Sequence, residues 1–274
     1  MNLIRYLILA LVQGLTEFLP ISSSGHLVFL QQIFNFEQPL LSFDIMLHLA
    51  TSLSVIIFLR SELALMSKEL FLVLGRLFIK RSWAGVLSEF AYFRLFVFLV
   101  IAFLPAVVIG LLWSAALEQL FVSLKAVGGS LLFTGLVLYL SRFIASTRGI
   151  KHINFRDALF IGLAQAIAII PGISRSGLTI ASGMFRGLDR NLAAKFSFLL
   201  SLPTILAAAV YKLKDIDSLT SIGIFNLLIC FFIAFSSGCL ALKILSRIIA
   251  KAKFHYFAFY CWMLGVVILV LSYI

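Results

Sequence analysis

Two polar stretches interrupt an otherwise apolar chain, and their residue types could bind and transfer a phosphate group. The first is EFLPISSSGH at residues 17–26, and the second is PGISRSGLT at residues 171–179. In each, a proline ends one helix and a serine, Ser22 or Ser174, can cap the next. A helix N-terminus offers free N–H groups and a positive dipole end. Each stretch therefore predicts an anion site.

Charged side chains accompany these two helix starts. A guanidinium at lipid depth is costly, so Arg175 should face an anion in a polar pocket. Glu17 is the acidic residue available within the two stretches and could be that partner. An Arg175–Glu17 pair that only ties the two stretches together is the structural alternative. The neighbouring hydroxyls and histidine favour a phosphate site instead.

The spacing within the first stretch suggests nucleophilic catalysis. Ser23 and His26 are three residues apart at a helix start, so the imidazole can lie beside the hydroxyl. A serine next to a histidine base is a candidate nucleophile, and a histidine can itself attack phosphorus. The alternative is that both residues only cap the helix and form hydrogen bonds. Gln13 and Glu17 are four apart and share a helix face.

Other polar residues in apolar surroundings have simpler interpretations. Asp44 is expected to cap a helix and His48 to be a satisfied core histidine. Ser197 and Ser201 are expected to pack helices against one another. Residues 62–81 alternate basic and apolar residues at helical spacing, which is typical of an interfacial helix.

The composition requires a membrane around these sites. The chain has 274 residues, of which 62% are hydrophobic and 12% charged, and its mean hydropathy is +1.13. A soluble domain of this length could not cover so much apolar surface. Backbone exposed to lipid must satisfy its own hydrogen bonds, so we expect an all-α polytopic membrane protein. Six apolar runs predict the transmembrane helices: Phe43–Leu59, Tyr92–Trp113, Leu124–Tyr139, Ala193–Tyr211, Ile222–Leu245 and Phe254–Ile274.

The basic residues give a topology. The net charge is +11, and most of the 22 lysines and arginines lie in blocks at 60–94, 142–156, 186–195 and 243–253. These blocks alternate with poorly charged connections at every span, so the basic side is predicted to be cytoplasmic. Charges placed in this way indicate a membrane topology and argue against nucleic acid as a partner.

Two segments then have no room to cross the membrane. Residues 3–34 must begin and end on the outer side, and residues 156–188 begin and end on the inner side. Each is predicted to be a re-entrant helical hairpin with its polar stretch at the tip, because non-helical backbone at membrane depth must be surrounded by protein or a watery cavity. The two tips should meet near the midplane.

An internal repeat supports this arrangement. QGLTEFLPISSSG at 13–25 resembles QAIAIIPGISRSG at 165–177, and FDIMLHLAT resembles the downstream FSFLLSLPT. Equivalent hairpins entering from opposite faces form an inverted-topology repeat. The halves are expected at about 1–150 and 151–274, within a single integral membrane domain, 1–274.

The motifs QGLTEFLPISSSGH, PGISRSGLTIASGMFRG and FSFLLSLPT resemble those of the bacterial undecaprenyl-diphosphate phosphatase family, which is also known for bacitracin resistance. The resemblance runs over nearly the whole chain. It implies six spans plus two re-entrant hairpins, and hydrolysis of a polyprenyl diphosphate lipid to the monophosphate carrier used in peptidoglycan synthesis. It also implies a multi-pass protein of the inner (cytoplasmic) membrane, with the active site open to the outer (periplasmic) side, and a possible homodimer.

The resemblance also implies roles for individual residues. Catalytic roles fall to Ser23, His26, Glu17 and Arg175, with either Ser23 or His26 as the nucleophile. Substrate or phosphate contacts are expected from Ser22, Ser24, Gly25, Ser174, Ser176, Gly177, Thr179 and Gln13. A divalent cation, Mg²⁺ or Ca²⁺, is implied, with Glu17 as its ligand. The family often has glutamate at the position of Gln13, so this chain offers one carboxylate fewer.

A transporter or flippase of polyprenyl phosphate or another anion is the alternative from a different class. Inverted repeats with broken helices at the midplane also build transport sites. Transport needs anion ligands but does not use a nucleophile beside a base. A protein that hydrolyses the lipid and then translocates it would satisfy both interpretations.

Overall fold

The computed structural model describes residues 3–36, 40–76, 86–87, 89–113, 119–211 and 222–273. These residues are helical, with short turns and an isolated bridge between Arg148 and Leu188. The main helices in chain order are α1 (Leu3–Phe18), α2 (Ser23–Ile33), α3 (Leu41–Phe58), α4 (Arg60–Arg76), α5 (Ala91–Leu112), α6 (Leu124–Leu140), α7 (Phe155–Ile167), α8 (Arg175–Phe185), α9 (Arg190–Tyr211), α10 (Ile224–Ala250) and α11 (Phe257–Leu271).

Six of these segments are long and apolar enough to cross a membrane, and they coincide with the six predicted spans. They are α3, α5, α6, α9, α10 and α11, where α6 and α11 are extended by short 3₁₀ turns. The largest difference is in α10, which continues to Ala250 where the prediction ended at Leu245. The protein is therefore an all-α polytopic membrane protein, as predicted.

The helices that flank the two polar stretches are shorter. Helices α2 and α8 have 11 residues each. At 1.5 Å per residue they measure about 16 Å, well short of the roughly 30 Å of a hydrocarbon core. α1 with α2, and α7 with α8, form two helical hairpins.

Polar contacts close the base of each hairpin. Arg5 Nη1 donates to the carbonyl oxygen of Phe34 at 2.8 Å, which joins the two ends of the first hairpin. In the second, Arg186 Nε donates to Oδ1 of the fully buried Asp157 at 2.9 Å. Arg148 binds the other oxygen of Asp157 at 2.8 Å. These contacts bring the two ends of each hairpin together.

The tips of the two hairpins touch. The Gly172 N–H donates to Ser24 Oγ at 3.4 Å, and Ser176 Oγ donates to the Leu19 carbonyl oxygen at 3.3 Å. Gly172 has φ +90°, and a Cβ there would lie 2.5 Å from the Val127 carbonyl oxygen. Glycine meets both requirements, since it has no side chain and tolerates positive φ.

The hairpins pack against the spans in a matching pattern. α1 lies against α10, and α7, which the predicted repeat pairs with α1, lies against α5. α3 and its counterpart α9 contact each other, as do α6 and α11. The Phe18 and Phe198 rings meet edge to face with centroids 5.8 Å apart. The hairpin tips therefore sit inside the helical bundle.

One local prediction, the Asp44 cap, was wrong, and another extends beyond the described residues. Asp44 does not cap α3, because the helix starts earlier, at Leu41, and Leu40 is the N-cap. Asp44 instead accepts hydrogen bonds from Gln31 Nε2 at 3.0 Å, so a partner outside the helix binds its carboxylate. The interfacial helix predicted over 62–81 corresponds to α4 as far as Arg76, and 77–81 lie outside the described residues.

Candidate active site

The two tips begin their second helices in the same way. Ser22 Oγ accepts a hydrogen bond from the Gly25 N–H at 3.1 Å, and Ser174 Oγ accepts one from the Gly177 N–H at 3.1 Å. Both predicted N-caps are confirmed. The remaining N–H groups of each first turn have no acceptor within their own helix. Because the tips touch, two positive helix ends lie side by side.

Glu17 is the centre of the polar contacts at the tips. Its Oε2 accepts hydrogen bonds from Ser23 Oγ at 2.6 Å and from Gln13 Nε2 at 2.8 Å. Its Oε1 pairs with Arg175 Nη2. The Glu17 side chain is 3% exposed and that of Arg175 17%, so the ion pair is shielded while the guanidinium still reaches open space. The expected Arg175–Glu17 partnership is present.

His48 completes this cluster, although the sequence analysis assigned it to the core. Its Nε2 lies 3.3 Å from Glu17 Oε2, and its Nδ1 lies 2.6 Å from the Asp44 carbonyl oxygen. A carbonyl oxygen only accepts, so Nδ1 carries a proton. Nε2 is then the ring atom that can gain or lose a proton beside Glu17.

A cavity of about 210 Å³ opens at this cluster. Six of the predicted site residues line it: Glu17, Ser22, Ser23, Ser24, Ser174 and Arg175. His48, Gln165 and Thr204 line it as well, together with apolar side chains such as Ile169 and Phe121. Hydroxyls, a guanidinium and two helix starts therefore converge on one small cavity whose remaining walls are apolar. Such a surface suits a phosphate group attached to a hydrocarbon.

His26 lies elsewhere. Its Nδ1 is 2.8 Å from the Ser22 carbonyl oxygen and its Nε2 is 2.7 Å from the Tyr260 hydroxyl. The two rings stack with centroids 5.7 Å apart. His26 is not among the residues that line the cavity, and the Ser23 hydroxyl bonds to Glu17. The structure thus pairs Ser23 with a carboxylate rather than with the expected imidazole.

Two of the predicted phosphate ligands bind protein groups behind the cavity wall. Ser176 Oγ reaches the Leu19 carbonyl oxygen, and Thr179 Oγ1 donates to the Arg175 carbonyl oxygen at 2.7 Å. Thr179 is also 2.6 Å from Ser197 Oγ, and both residues are buried. These hydroxyls hold α8 in place, so their contact with the cavity is indirect.

The two predicted glycines provide room where the tips meet. A Cβ at Gly25 would lie 3.3 Å from the Gly172 Cα, and one at Gly177 would lie 3.2 Å from the Pro20 Cβ. A side chain at either position would be in tight contact with the opposite tip. Gly25 and Gly177 therefore contribute to the site by allowing the two hairpin tips to lie close together.

Gln165 is a cavity residue that was not among the predicted site residues. It is fully buried, it lines the cavity, and neither its Nε2 nor its Oε1 has a hydrogen-bond partner among the described residues. The repeat aligns it with Gln13, whose Oε1 is also unpaired in the described part of the chain. The alignment with Gln13 was the sequence signal that could have identified Gln165. A buried amide without partners is unfavourable, so a ligand that binds in the cavity would satisfy it.

The donor set does not form a metal cage. The described residues contain no group of three or more His, Cys, Asp or Glu side chains placed to hold an ion. Both oxygens of Glu17 already face donors, namely Ser23, Gln13 and Arg175. The residues present therefore do not by themselves fit the divalent cation implied by the resemblance.

Comparisons with known proteins agree with the motifs. The profile of the family described as bacitracin resistance protein BacA matches residues 6–267. The chain is 41% identical over 270 residues to the undecaprenyl-diphosphatase of Methanobrevibacter smithii, covering 98% of this chain and 97% of that protein. It is 42% identical to the undecaprenyl-diphosphatase of Carboxydothermus hydrogenoformans, covering 99% and 98%. The Desulforapulum autotrophicum protein of the same name is 40% identical over the full length of both chains. This chain belongs to the bacitracin resistance protein BacA family.

Proposed function

We propose that this protein is an integral membrane undecaprenyl-diphosphatase. It hydrolyses undecaprenyl diphosphate to undecaprenyl phosphate and inorganic phosphate, which recycles the lipid carrier for cell-wall synthesis and gives bacitracin resistance. The observation that carries the proposal is the meeting of Ser23, Glu17 and Arg175 in one cavity between two helix N-termini. The names of the relatives, over nearly the whole chain, point to the same activity.

The proposal places both hairpins within the membrane as re-entrant elements of an inverted repeat. The closed bases at Arg5–Phe34 and Asp157–Arg186 support re-entry, and the alternation of the basic blocks supports entry from opposite faces. With the basic blocks inside, α3 runs inward and α9 outward. The cavity is lined by Ile45 in the first half of α3 and by Ala208 near the end of α9, so it opens toward the outer side.

The first step transfers the terminal phosphoryl group to Ser23. The Ser23 oxygen forms a bond to the terminal phosphorus, the bridging P–O bond breaks, and undecaprenyl phosphate leaves with the electron pair. The Ser23 proton passes to Glu17 Oε2, 2.6 Å away. Phosphoryl transfer has a loose transition state and depends mainly on positioning and charge stabilisation. Arg175 and the N–H groups of the two helix starts provide that stabilisation.

Water then hydrolyses the phosphoserine. The water oxygen bonds to phosphorus, the bond to Ser23 breaks, and inorganic phosphate is released. The proton held by Glu17 returns to the Ser23 oxygen. His48 Nε2, 3.3 Å from Glu17, takes up the proton lost by the water and passes it to the product phosphate. Glu17 thus acts as the base for Ser23, and His48 is the neighbouring group that carries the proton of the water.

A divalent cation would arrive with the diphosphate. Mg²⁺ keeps several waters and is commonly bound by one or two carboxylates together with substrate phosphates. Glu17 is the carboxylate at the cavity, and the Gln13 side-chain oxygen lies on the same helix face. The cation would neutralise phosphate charge, while the steps above are carried by the protein's own groups.

The test is phosphate release from undecaprenyl diphosphate by the purified protein. We expect Ser23→Ala to abolish release, because no other oxygen replaces the nucleophile. Ser141→Ala is the matched control, since Ser141 is buried in a helix end remote from the cavity and donates to the Leu138 carbonyl. Movement of the lipid in vesicles without phosphate release would support the transporter instead.

The covalent intermediate separates Ser23 from His26. A phosphoserine trapped during turnover survives acid and is lost in base, whereas a phosphohistidine is lost in acid. We expect the label from a radiolabelled substrate to survive acid and to map to Ser23. An acid-labile label at His26 would reverse the assignment, in which case Ser23 would be a phosphate ligand.

A further inference from the structure

A second cavity adjoins the active site and is apolar. It has a volume of about 280 Å³ and lies between α5 and α9. Its residues are Phe103, Ala106, Val107, Gly110, Leu111, Ile169, Thr204, Ala207, Ala208 and Tyr211. Three of them, Ile169, Thr204 and Ala208, also line the cavity at Glu17. The two cavities therefore share a wall, and we call the second one the α5/α9 groove.

The chemistry of the α5/α9 groove suits hydrocarbon. Its walls are alkyl and aromatic groups, and the side-chain hydroxyls among them belong to Thr204 and Tyr211. Thr204 donates its hydroxyl to the Leu200 carbonyl oxygen at 2.9 Å. Transfer of alkyl surface into such a groove is favourable and needs no polar partner. The active-site cavity, in contrast, is lined by serines, Glu17, Arg175 and His48.

Small residues create the space. Ala106 and Gly110 on α5 face Ala207 and Ala208 on α9 across the groove. A Cβ built at Gly110 would meet only the Ile169 Cδ1, at 3.8 Å. The outer rim is open, since Leu111 is 60% exposed and Tyr211 is 42% exposed. The groove thus connects the phosphate cavity with the side of the bundle that faces lipid.

The internal repeat places an apolar residue at the shared wall. In the aligned stretches 13–25 and 165–177, Glu17 of the first tip corresponds to Ile169 of the second. One tip therefore contributes the carboxylate and the other an alkyl side chain at the junction of the two cavities. Such a division suits a ligand whose polar and apolar parts are directly bonded.

Building on the proposed function, we infer that the α5/α9 groove binds the isoprene units next to the diphosphate, with Ile169 at the junction between head group and tail. A groove of about 280 Å³ is far smaller than a whole undecaprenyl chain, so the remaining tail lies in the lipid. A larger apolar groove, about 610 Å³, lies along α10 near Phe225 and Phe232. It shares no lining residue with the active-site cavity, which disfavours it as the tail site.

Neighbouring residues on α5 provide a matched test. Val107 lines the groove, whereas Val108 is 53% exposed and lines neither cavity. The two variants Val107→Phe and Val108→Phe are compared on farnesyl diphosphate, with three isoprene units, and on dimethylallyl diphosphate, with one. Loss of the space for about two methylene groups should raise the KM for farnesyl diphosphate about tenfold in Val107→Phe only. The KM for dimethylallyl diphosphate should change much less.

Photolabelling of the wild-type protein provides a readout that does not depend on variants. A non-hydrolysable farnesyl diphosphonate with a diazirine on its second isoprene unit should label peptides of Phe103–Leu111 or Thr204–Tyr211. Labelling along α10 instead, or equal KM values in the two valine variants, would overturn the inference. If the wild type released no phosphate from any polyprenyl diphosphate, the proposed function would fail, and the labelled peptides would still report on the groove.

Discussion

Glu17 and Arg175 lie 158 residues apart in the sequence and form an ion pair where the two hairpin tips meet. Each charge is largely withdrawn from water, so each depends on the other for compensation. The pair links the two halves of the chain and also directs the guanidinium into the cavity. The structural and the functional interpretations of this pair are therefore compatible.

Arg175→Lys separates charge from geometry. Lysine keeps the positive charge beside Glu17 but lacks the planar fork that binds two phosphate oxygens. We expect kcat to fall by about 10²–10³, the loss typical of an oxyanion donor, with a melting temperature close to that of the wild type. Arg175→Ala should lose both kcat and thermal stability, because it also leaves the Glu17 carboxylate without its arginine partner. A lysine variant with wild-type kcat would contradict this role.

Gln165→Met should make the protein more stable and less active. Both polar atoms of this buried amide are unpaired in the described part of the chain, so their removal relieves about 1–3 kcal/mol. The same amide should contact the diphosphate, so we expect a higher KM. Gln31→Met is the control, since Gln31 is buried and bonds to Asp44 and to the Leu40 N–H. The control should be destabilised, and a Gln165→Met protein with unchanged KM would exclude substrate contact.

Local signals made the helix starts predictable. Pro20 before Ser22, and Pro171 before Ser174, determine where each second helix begins, and both caps lie where the sequence indicates. The six spans follow from apolar length alone. Such features depend on residues within one or two helical turns, so a single sequence contains enough information for them.

Apart from the Arg175–Glu17 pair, contacts between distant elements were not predictable in the same way. His48 sits on an apolar helix with nothing nearby in sequence to suggest Glu17 as a neighbour, and only the packing of α3 beside the tip brings them together. His26, close to Ser23 in sequence, turns toward Tyr260, 234 residues away. A spacing of three residues allowed contact between Ser23 and His26 but did not require it.

His48→Gln tests proton exchange beside Glu17. Glutamine can still donate a hydrogen bond to the carboxylate but cannot take up and release a proton at neutral pH. Loss of a general acid–base group typically costs about 10²–10⁴ in rate. We expect kcat to fall in that range and one ionisation to disappear from the pH–rate profile. An unchanged pH–rate profile would restrict His48 to a positioning role. The control variant is His152→Gln, because His152 does not line the cavity.

Gly172→Ala should displace the second tip. The added Cβ would meet the Val127 carbonyl oxygen at 2.5 Å, and φ of +90° is strained for alanine. We expect a lower melting temperature and loss of phosphate release, since Gly172 also contacts Ser24. Gly129→Ala on α6 meets nothing within 4 Å and should retain both properties. Equal behaviour of the two variants would show that the tip contact is not needed.

The cation should bind together with the diphosphate and not before it. Both Glu17 oxygens already face donors, and no cluster of three ligand side chains exists in the described part of the chain. Titration calorimetry with Mg²⁺ should therefore show no saturable binding to the protein alone and clear binding after addition of a methylene diphosphonate lipid.

Chelator should stop phosphate release, and added Mg²⁺ should restore it. Glu17→Gln should weaken the ternary binding, whereas Glu69→Gln, which alters a carboxylate bound to the first N–H groups of α5, should not. Tight Mg²⁺ binding without diphosphate would require a ligand set beyond the described side chains.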